Sequence, residues 1–148
     1  MAELTGTWDR DRLRAFLEET VVPLRLACTT PSDRLWMVSL WYRFDDGQFV
    51  CATSKRADLV RYLDHDPHVA FEVSTNEPPY KGVRGNGSVA IEADADKAVL
   101  RSLIERYVGG TDSAFARRLL DDDRDEVALS VAPERLYTWD FSSRMRDV

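Results

Sequence analysis

The sequence predicts an α+β domain: an antiparallel barrel of six or seven strands with helices at its periphery. Three observations carry this. Short β-branched and aromatic runs recur along the whole chain, an Asp46-Gly47 pair sits between two of them, and amphipathic helical segments interrupt the rest. The 148 residues fit a single domain over 1–148, and 44% hydrophobic content with 10% aromatics supplies a core and argues against disorder.

The elements follow in order. Asp9 to Thr20 places Leu13, Phe16 and Leu17 at helical spacing, with acidic residues at its start and Pro23 beyond its end. Leu24 to Thr29 reads as a strand, and Pro31-Ser32-Asp33 as a turn. Leu35 to Phe44 is a second, aromatic-rich strand. Asp46-Gly47 supplies the positive φ of a tight hairpin, and Gln48 to Thr53 returns from it. Ser54 is then expected to cap a helix over Lys55 to Asp64, which Pro67 ends. Val69 to Ser74 and Tyr80 to Ile91 are strands, the second holding Gly82, Gly85 and Gly87, which suggest bulges or close backbone approach. Asp96 to Tyr107 is the clearest amphipathic helix, with Leu100, Leu103, Ile104 and Tyr107 on one face and Gly109-Gly110 after it. Ser113 to Leu120 is a shorter helix, Asp121 to Glu126 a solvated acidic loop, and Val127 to Val131 and Arg135 to Phe141 the last two strands.

Charge narrows the function. The net charge of −6 disfavours a general nucleic-acid binder, whose affinity rests on excess positive charge, yet leaves room for a local phosphate site. No apolar run reaches 18 residues, so no membrane-spanning helix is expected. The first residues lack a basic and apolar leader pattern, and Cys28 and Cys51 lie in apolar strands outside any CxxC spacing, as reduced, buried hydrophobes would. A cytoplasmic location is the expectation. His65 and His68 flank Asp66-Pro67 without further ligands and make a weak metal site, and no G-x-S-x-G elbow is present.

One segment points to chemistry. Thr53-Ser54-Lys55-Arg56 places hydroxyls and two cations between a strand and a helix N-terminus, the assembly that phosphate binding requires. An ordinary capped helix is the alternative, although first-turn cations oppose the helix dipole. Lys55, Lys81 and Lys97 are the chain's only lysines, so positioned ones stand out. Tyr80-Lys81 precedes Val83-Arg84-Gly85-Asn86-Gly87, which lacks the ending of a phosphate-binding glycine loop and gains interest only from its cations. Trp36 to Tyr42 and Trp139 are aromatic segments of the kind found more often in cores and dimer interfaces than in cofactor walls.

Taken together, the order of these pieces resembles the pyridoxamine 5′-phosphate oxidase-like family, the flavin-binding split β-barrels. The likeness runs from Leu24 to Phe141: Trp36 to Leu40 as the strand beside the flavin, Asp46-Gly47, Phe49 to Arg56, Leu63 to Ala70 around Asp66-Pro67, Val83-Arg84 with Gly87, and Pro133-Glu134-Arg135 followed by Trp139. The resemblance implies a homodimer with FMN at its interface. Main-chain groups of Met37, Val38 and Ser39 would meet the ring; Thr53, Ser54, Lys55 and Arg56 would hold the phosphate; Lys81, Arg84 and Trp139 complete the expected cofactor contacts. Departures at Leu35 to Trp41, which lacks a substrate-side Arg and Lys, and at Gly82, where the family often has glutamine, argue against pyridoxamine phosphate as the substrate. An F-420 deazaflavin in the same groove is one alternative. A non-catalytic flavin- or haem-binding module is the other, with His65 and His68 the available axial ligands.

Overall fold

The computed structural model describes residues 1–147. Its strands form one open eight-stranded sheet curled into a barrel that is not closed. The elements are β1 (Glu3–Gly6), α1 (Arg10–Glu19), β2 (Leu24–Thr29), β3 (Leu35–Leu40), β4 (Arg43–Asp45), β5 (Gln48–Ser54), α2 (Asp58–His65), β6 (His68–Ser74), β7 (Lys81–Ala93), α3 (Ala98–Val108), α4 (Ala114–Leu119) and β8 (Glu126–Asp140). The strand order is β3-β2-β6-β7-β8-β5-β4, with β1 added in parallel to β8.

Two differences raise the strand total above the expected six or seven, and a third lowers it. β1 is four residues long and pairs with Arg135 to Thr138 at the far end of the chain, so no local pattern announces it. The expected strand from Leu35 to Phe44 breaks at Trp41-Tyr42 into β3 and β4. Tyr42 there turns its fully buried ring inward and gives its backbone amide to the Tyr107 hydroxyl (3.1 Å). The two expected last strands are, conversely, one: β8 passes through Pro133, which has no amide to donate. The register shifts there, Asn86 pairing with Arg135 and Gly87 with Pro133, so Glu134 is the extra residue of a bulge.

Other expectations hold closely. Asp46 and Gly47 both take positive φ (49° and 78°) in the β4–β5 hairpin. Asp9 caps α1 by accepting from the Arg12 amide (2.8 Å), and α1 buries Leu13, Phe16 and Leu17. Those side chains join Leu24 and Leu26 of β2, Phe49 of β5, Phe71 of β6, Val83 of β7 and Leu129 and Val131 of β8 in the main core. Burial of each such side chain contributes about 1.5–3 kcal/mol. A smaller cluster of Leu100, Ile104 and Ala116 seats α3 and α4. Cys28 and Cys51 are free and buried; burial pushes the Cys51 thiol up to about 12 and raises Cys28, which keeps both protonated and inert. No helix among the described residues is long and apolar enough to cross a membrane.

Gly85 lies in a tightly packed part of the sheet. A Cβ there would lie 2.1 Å from the Arg135 carbonyl oxygen and 3.0 Å from the Phe71 ring. Gly85→Ala must therefore spread the β7–β8 ladder, and we expect a loss of about 3 kcal/mol in chemical denaturation, at the upper end of ordinary overpacking.

Candidate functional site

Ser54 is the last residue of β5, opposite Glu126 of β8. The Lys55 amide continues toward β8 by donating to the Asp125 carbonyl (2.9 Å), and the chain then turns, the Ala57 amide donating to the Ser54 carbonyl (3.0 Å). That turn corrects one expectation. Ser54 does not cap the helix, and Lys55 and Arg56 do not form its first turn: α2 begins at Asp58, with Ala57 at the cap position. The Ser54 hydroxyl instead accepts from the Arg56 amide (3.3 Å). The dipole objection to first-turn cations therefore falls away, because the first turn carries Asp58. What remains still suits an anion. No side chain caps α2; the Val60 amide donates to the Ala57 carbonyl (3.0 Å), and the amides of Asp58 and Leu59 before it have no side-chain cap. Lys55 and Arg56 are exposed and form no ion pair among the described residues.

Across the opening of the barrel lies β3, which carries Met37, Val38 and Ser39. It pairs only with β2, so its second edge keeps free main-chain donors and acceptors. β3 and β5 approach one another across this split, and α2 rests against β3 through an edge-on contact of Tyr62 with Trp36 (5.6 Å between ring centres). Val38 turns toward the core, while Met37 and Ser39 face outward, Met37 at 65% exposure.

The remaining expected residues lie elsewhere. Lys81 pairs with Asp140 and Gly82 with Trp139, at the opposite end of the β7–β8 ladder from Ser54. Arg84 is nine residues along β7 from Ala93, on the order of 30 Å of strand. Its guanidinium stacks on Tyr137 (4.5 Å) and Trp139 (5.3 Å). One chain thus brings Met37–Ser39 together with Thr53–Arg56 and groups Lys81, Arg84 and Trp139 separately.

Sequence reasoning missed an outward groove of about 600 Å³ that joins Met37 to Arg84. Its floor is set by register. Ser39, Arg25, Glu72, Arg84, Tyr137 and Thr5 form one row across six strands, beside a second row of Met37, Ala27, Ala70, Asn86, Arg135 and Glu3. The sheet order places Arg25 beside Glu72, with Arg84 one strand further along the same row.

His65 and His68 are exposed at the α2–β6 junction, with His68 Nδ1 2.8 Å from Asp66 Oδ1. Among the described residues no cluster of three or more His, Cys, Asp or Glu is arranged to hold a metal. Asp121 to Asp123 is solvent-exposed, as expected of the acidic loop.

No protein-family model and no curated protein matches the sequence. Solved structures match the fold over most of its length. A conserved hypothetical protein of Mycobacterium tuberculosis, Rv2991, has a TM-score of 0.75 at 21% identity, covering 95% of this chain and 89% of its own. An F420 reductase gives 0.69 at 21% identity, with 88% and 98% covered. A candidate pyridoxamine 5′-phosphate oxidase of Listeria innocua gives 0.66 at 17% identity, with 86% and 95% covered. In fold, the chain is a pyridoxamine 5′-phosphate oxidase-like split barrel. At these identities the likeness establishes the fold alone.

Asp140, beside the Lys81–Trp139 end, offers a test of local electrostatics. Burial raises its pKa, but hydrogen bonds from Ser142 and the charge of Lys81 outweigh it and leave the carboxyl below its ordinary value. Its contribution to stability is therefore present above the ordinary Asp range, about 3.9, and is lost as pH falls through the lower folded value. Asp140→Asn should flatten that acid limb of the stability curve and leave stability near neutral pH slightly lower, read by denaturation at a series of pH values.

Proposed function

We propose that the chain is a flavin-dependent oxidoreductase that binds FMN and acts on a small molecule, working in the cytoplasm as a homodimer. The observation that carries this is the pairing of two features across the split: the unpaired Lys55 and Arg56 beside Ser54 and the uncapped start of α2, and the free edge of β3. A terminal phosphate suits the first and the hydrogen-bonding edge of a planar ring the second. The solved structures of like fold support a flavin-type cofactor, since one of them is described as an F420 reductase.

When bound, the flavin would supply the hydride or electron chemistry, and the protein supplies position and electrostatics. Ser54, Lys55 and Arg56, with Thr53 behind them, would hold the phosphate. Main-chain groups of Met37, Val38 and Ser39 would fix the ring. Lys81 and Trp139, remote along the ladder in one chain, would reach the site from the second copy. Leu35 at 84% exposure and Met37 at 65% make β3 an apolar edge strand that a second copy would cover. An F-420 deazaflavin also carries an anionic tail and is the alternative occupant of the same groove.

Two measurements test the reading. Purified protein, mixed with FMN and freed of excess, is expected to keep a flavin absorbance band at one cofactor per chain, and Lys55→Ala with Arg56→Ala should abolish retention without unfolding the chain. Unchanged flavin affinity in that variant would remove the phosphate assignment, and a retained band at the shorter wavelength of a deazaflavin would decide for the alternative. Separately, Met37→Asp is expected to give a monomer in sedimentation equilibrium with flavin retention lost; a stable dimer would exclude the β3 edge as the interface.

A further inference from the structure

The outward face of the sheet carries charges in an order that is complementary to its own reverse. From β3 to β8 one row reads Ser39, Arg25, Glu72, Arg84, Tyr137, and the adjoining row Met37, Ala27, Ala70, Asn86, Arg135. Arg25, Glu72 and Arg84 form no ion pair among the described residues. The Glu72 carboxylate accepts from the Ser74 hydroxyl (2.9 Å), and Arg84 stacks on Tyr137 and Trp139. Beside these charges Ala70 is exposed and Ala27 half-buried, so the centre of the face is low and apolar.

A two-fold axis lying in an interface and parallel to the strands sets each row against its own reverse. Three such axes run through the middle of this face. One over β6 sets Glu72 against Glu72 and Arg25 against Arg84, like charge against like. One between β6 and β7 sets the exposed Met37 against Glu3, and Ala27 against Arg135. One between β2 and β6 sets Arg25 against Glu72 twice, Ala27 against Ala70 twice, and Ser39 against Arg84. It also carries β8 of the second copy one strand spacing, about 5 Å, beyond the free edge of β3, which is the split.

We propose that a second copy docks face to face on this sheet with the two-fold axis between β2 and β6, closing two reciprocal Arg25–Glu72 ion pairs beside a contact of Ala27 with Ala70. These pairs lie nearest the axis, so they set the register of association and exclude the registers that oppose like charges. The inference rests on the homodimer of the proposed function and deepens it by naming the contacts that select the partner. It also gives a reason for two expected cofactor contacts that one chain keeps far from Ser54. Arg84 of the second copy lies over Ser39, and Trp139 of the second copy overhangs the split.

The test is sedimentation equilibrium of the full chain and of charge-reversed variants, alone and mixed, with FMN retention measured on the same samples. Arg25→Glu and Glu72→Arg each oppose like charges at both symmetric pairs, and each should weaken dimerisation about hundredfold. An equimolar mixture of the two variants regains both opposite-charge pairs in a dimer holding one chain of each. That mixed dimer should form within about tenfold of the parent affinity and regain FMN, which also shows that both variants fold. Single variants that dimerise as the parent does, or a mixture that stays monomeric, overturn the proposal. So does full recovery when Glu72→Arg is mixed with Arg84→Glu, which places the axis between β6 and β7. A monomeric parent that keeps flavin overturns the interface and leaves the cofactor reading. A parent dimer with the expected charge dependence that holds neither flavin nor deazaflavin refutes the cofactor reading and leaves the interface. Flavin held at parental affinity by the monomeric variants refutes the overhang of Trp139.

Discussion

The antiparallel ladder between β7 and β8 is the constraint on which the rest of the chain depends. It pairs Lys81 through Ala93 with Val127 through Asp140, and almost every other strand hangs from one of its two edges: β6 and then β2 and β3 from β7, β5 and β1 from β8. Because side chains alternate with period two, a slip of one residue would exchange the buried face for the exposed one along the whole ladder. The bulge at Glu134 and the close approach at Gly85 pin the register against such a slip. With the register fixed, Val83 and Leu136 point inward while Arg84 and Tyr137 point outward. The outward rows follow from that one choice.

A second constraint holds the helices to the barrel. Arg106, near the end of α3, donates to the Leu17 (2.8 Å), Glu18 (3.0 Å) and Thr20 (3.2 Å) carbonyls at the end of α1, satisfying acceptors that a helix C-terminus leaves open. The Tyr42 hydroxyl donates to the Leu17 and Thr20 carbonyls as well, and Tyr107 donates to Val22 (2.8 Å). The Arg106 guanidinium lies between the Tyr42 and Tyr107 rings (5.0 and 5.6 Å). Burial raises the Tyr42 hydroxyl's pKa against the opposing charge of Arg106, so it stays a donor. The cost is a break in the strand at Trp41-Tyr42, and the break is useful: it ends β3 and leaves its second edge unpaired, facing β5 and α2 across the split.

This explains which features were legible in the sequence. The Asp46-Gly47 hairpin, the apolar faces of α1 and α3, and the concentration of cations after β5 are local, and local chemistry decides them. The beginning of α2 was misread because the Lys55 amide is taken by Asp125, seventy residues later in the chain, and no periodicity reports such a bond. β1 escaped notice for the same reason. The Arg25–Glu72–Arg84 row draws each residue from a different strand, so it exists only once the order β2-β6-β7 is known. Alternation shows that each of these side chains faces outward; it does not show which ones are neighbours.

The charge balance gives this placement its meaning. A chain of net charge −6 repels anions at long range, and at physiological ionic strength that field is screened beyond about 8 Å. Anion binding must therefore come from cations that are close, unpaired and held in place. Many of this chain's cations do not qualify. Arg12, Arg14, Arg61, Arg124 and Arg135 are paired with carboxylates, and Arg43 and Arg106 are spent on hydroxyl and carbonyl acceptors. Lys55 and Arg56 are left free beside an uncapped helix start, and Arg25 and Arg84 on the outward face of the sheet that a second copy would cover. Both pairs border β3, whose backbone edge faces the first and whose Met37 side chain shares a face with the second.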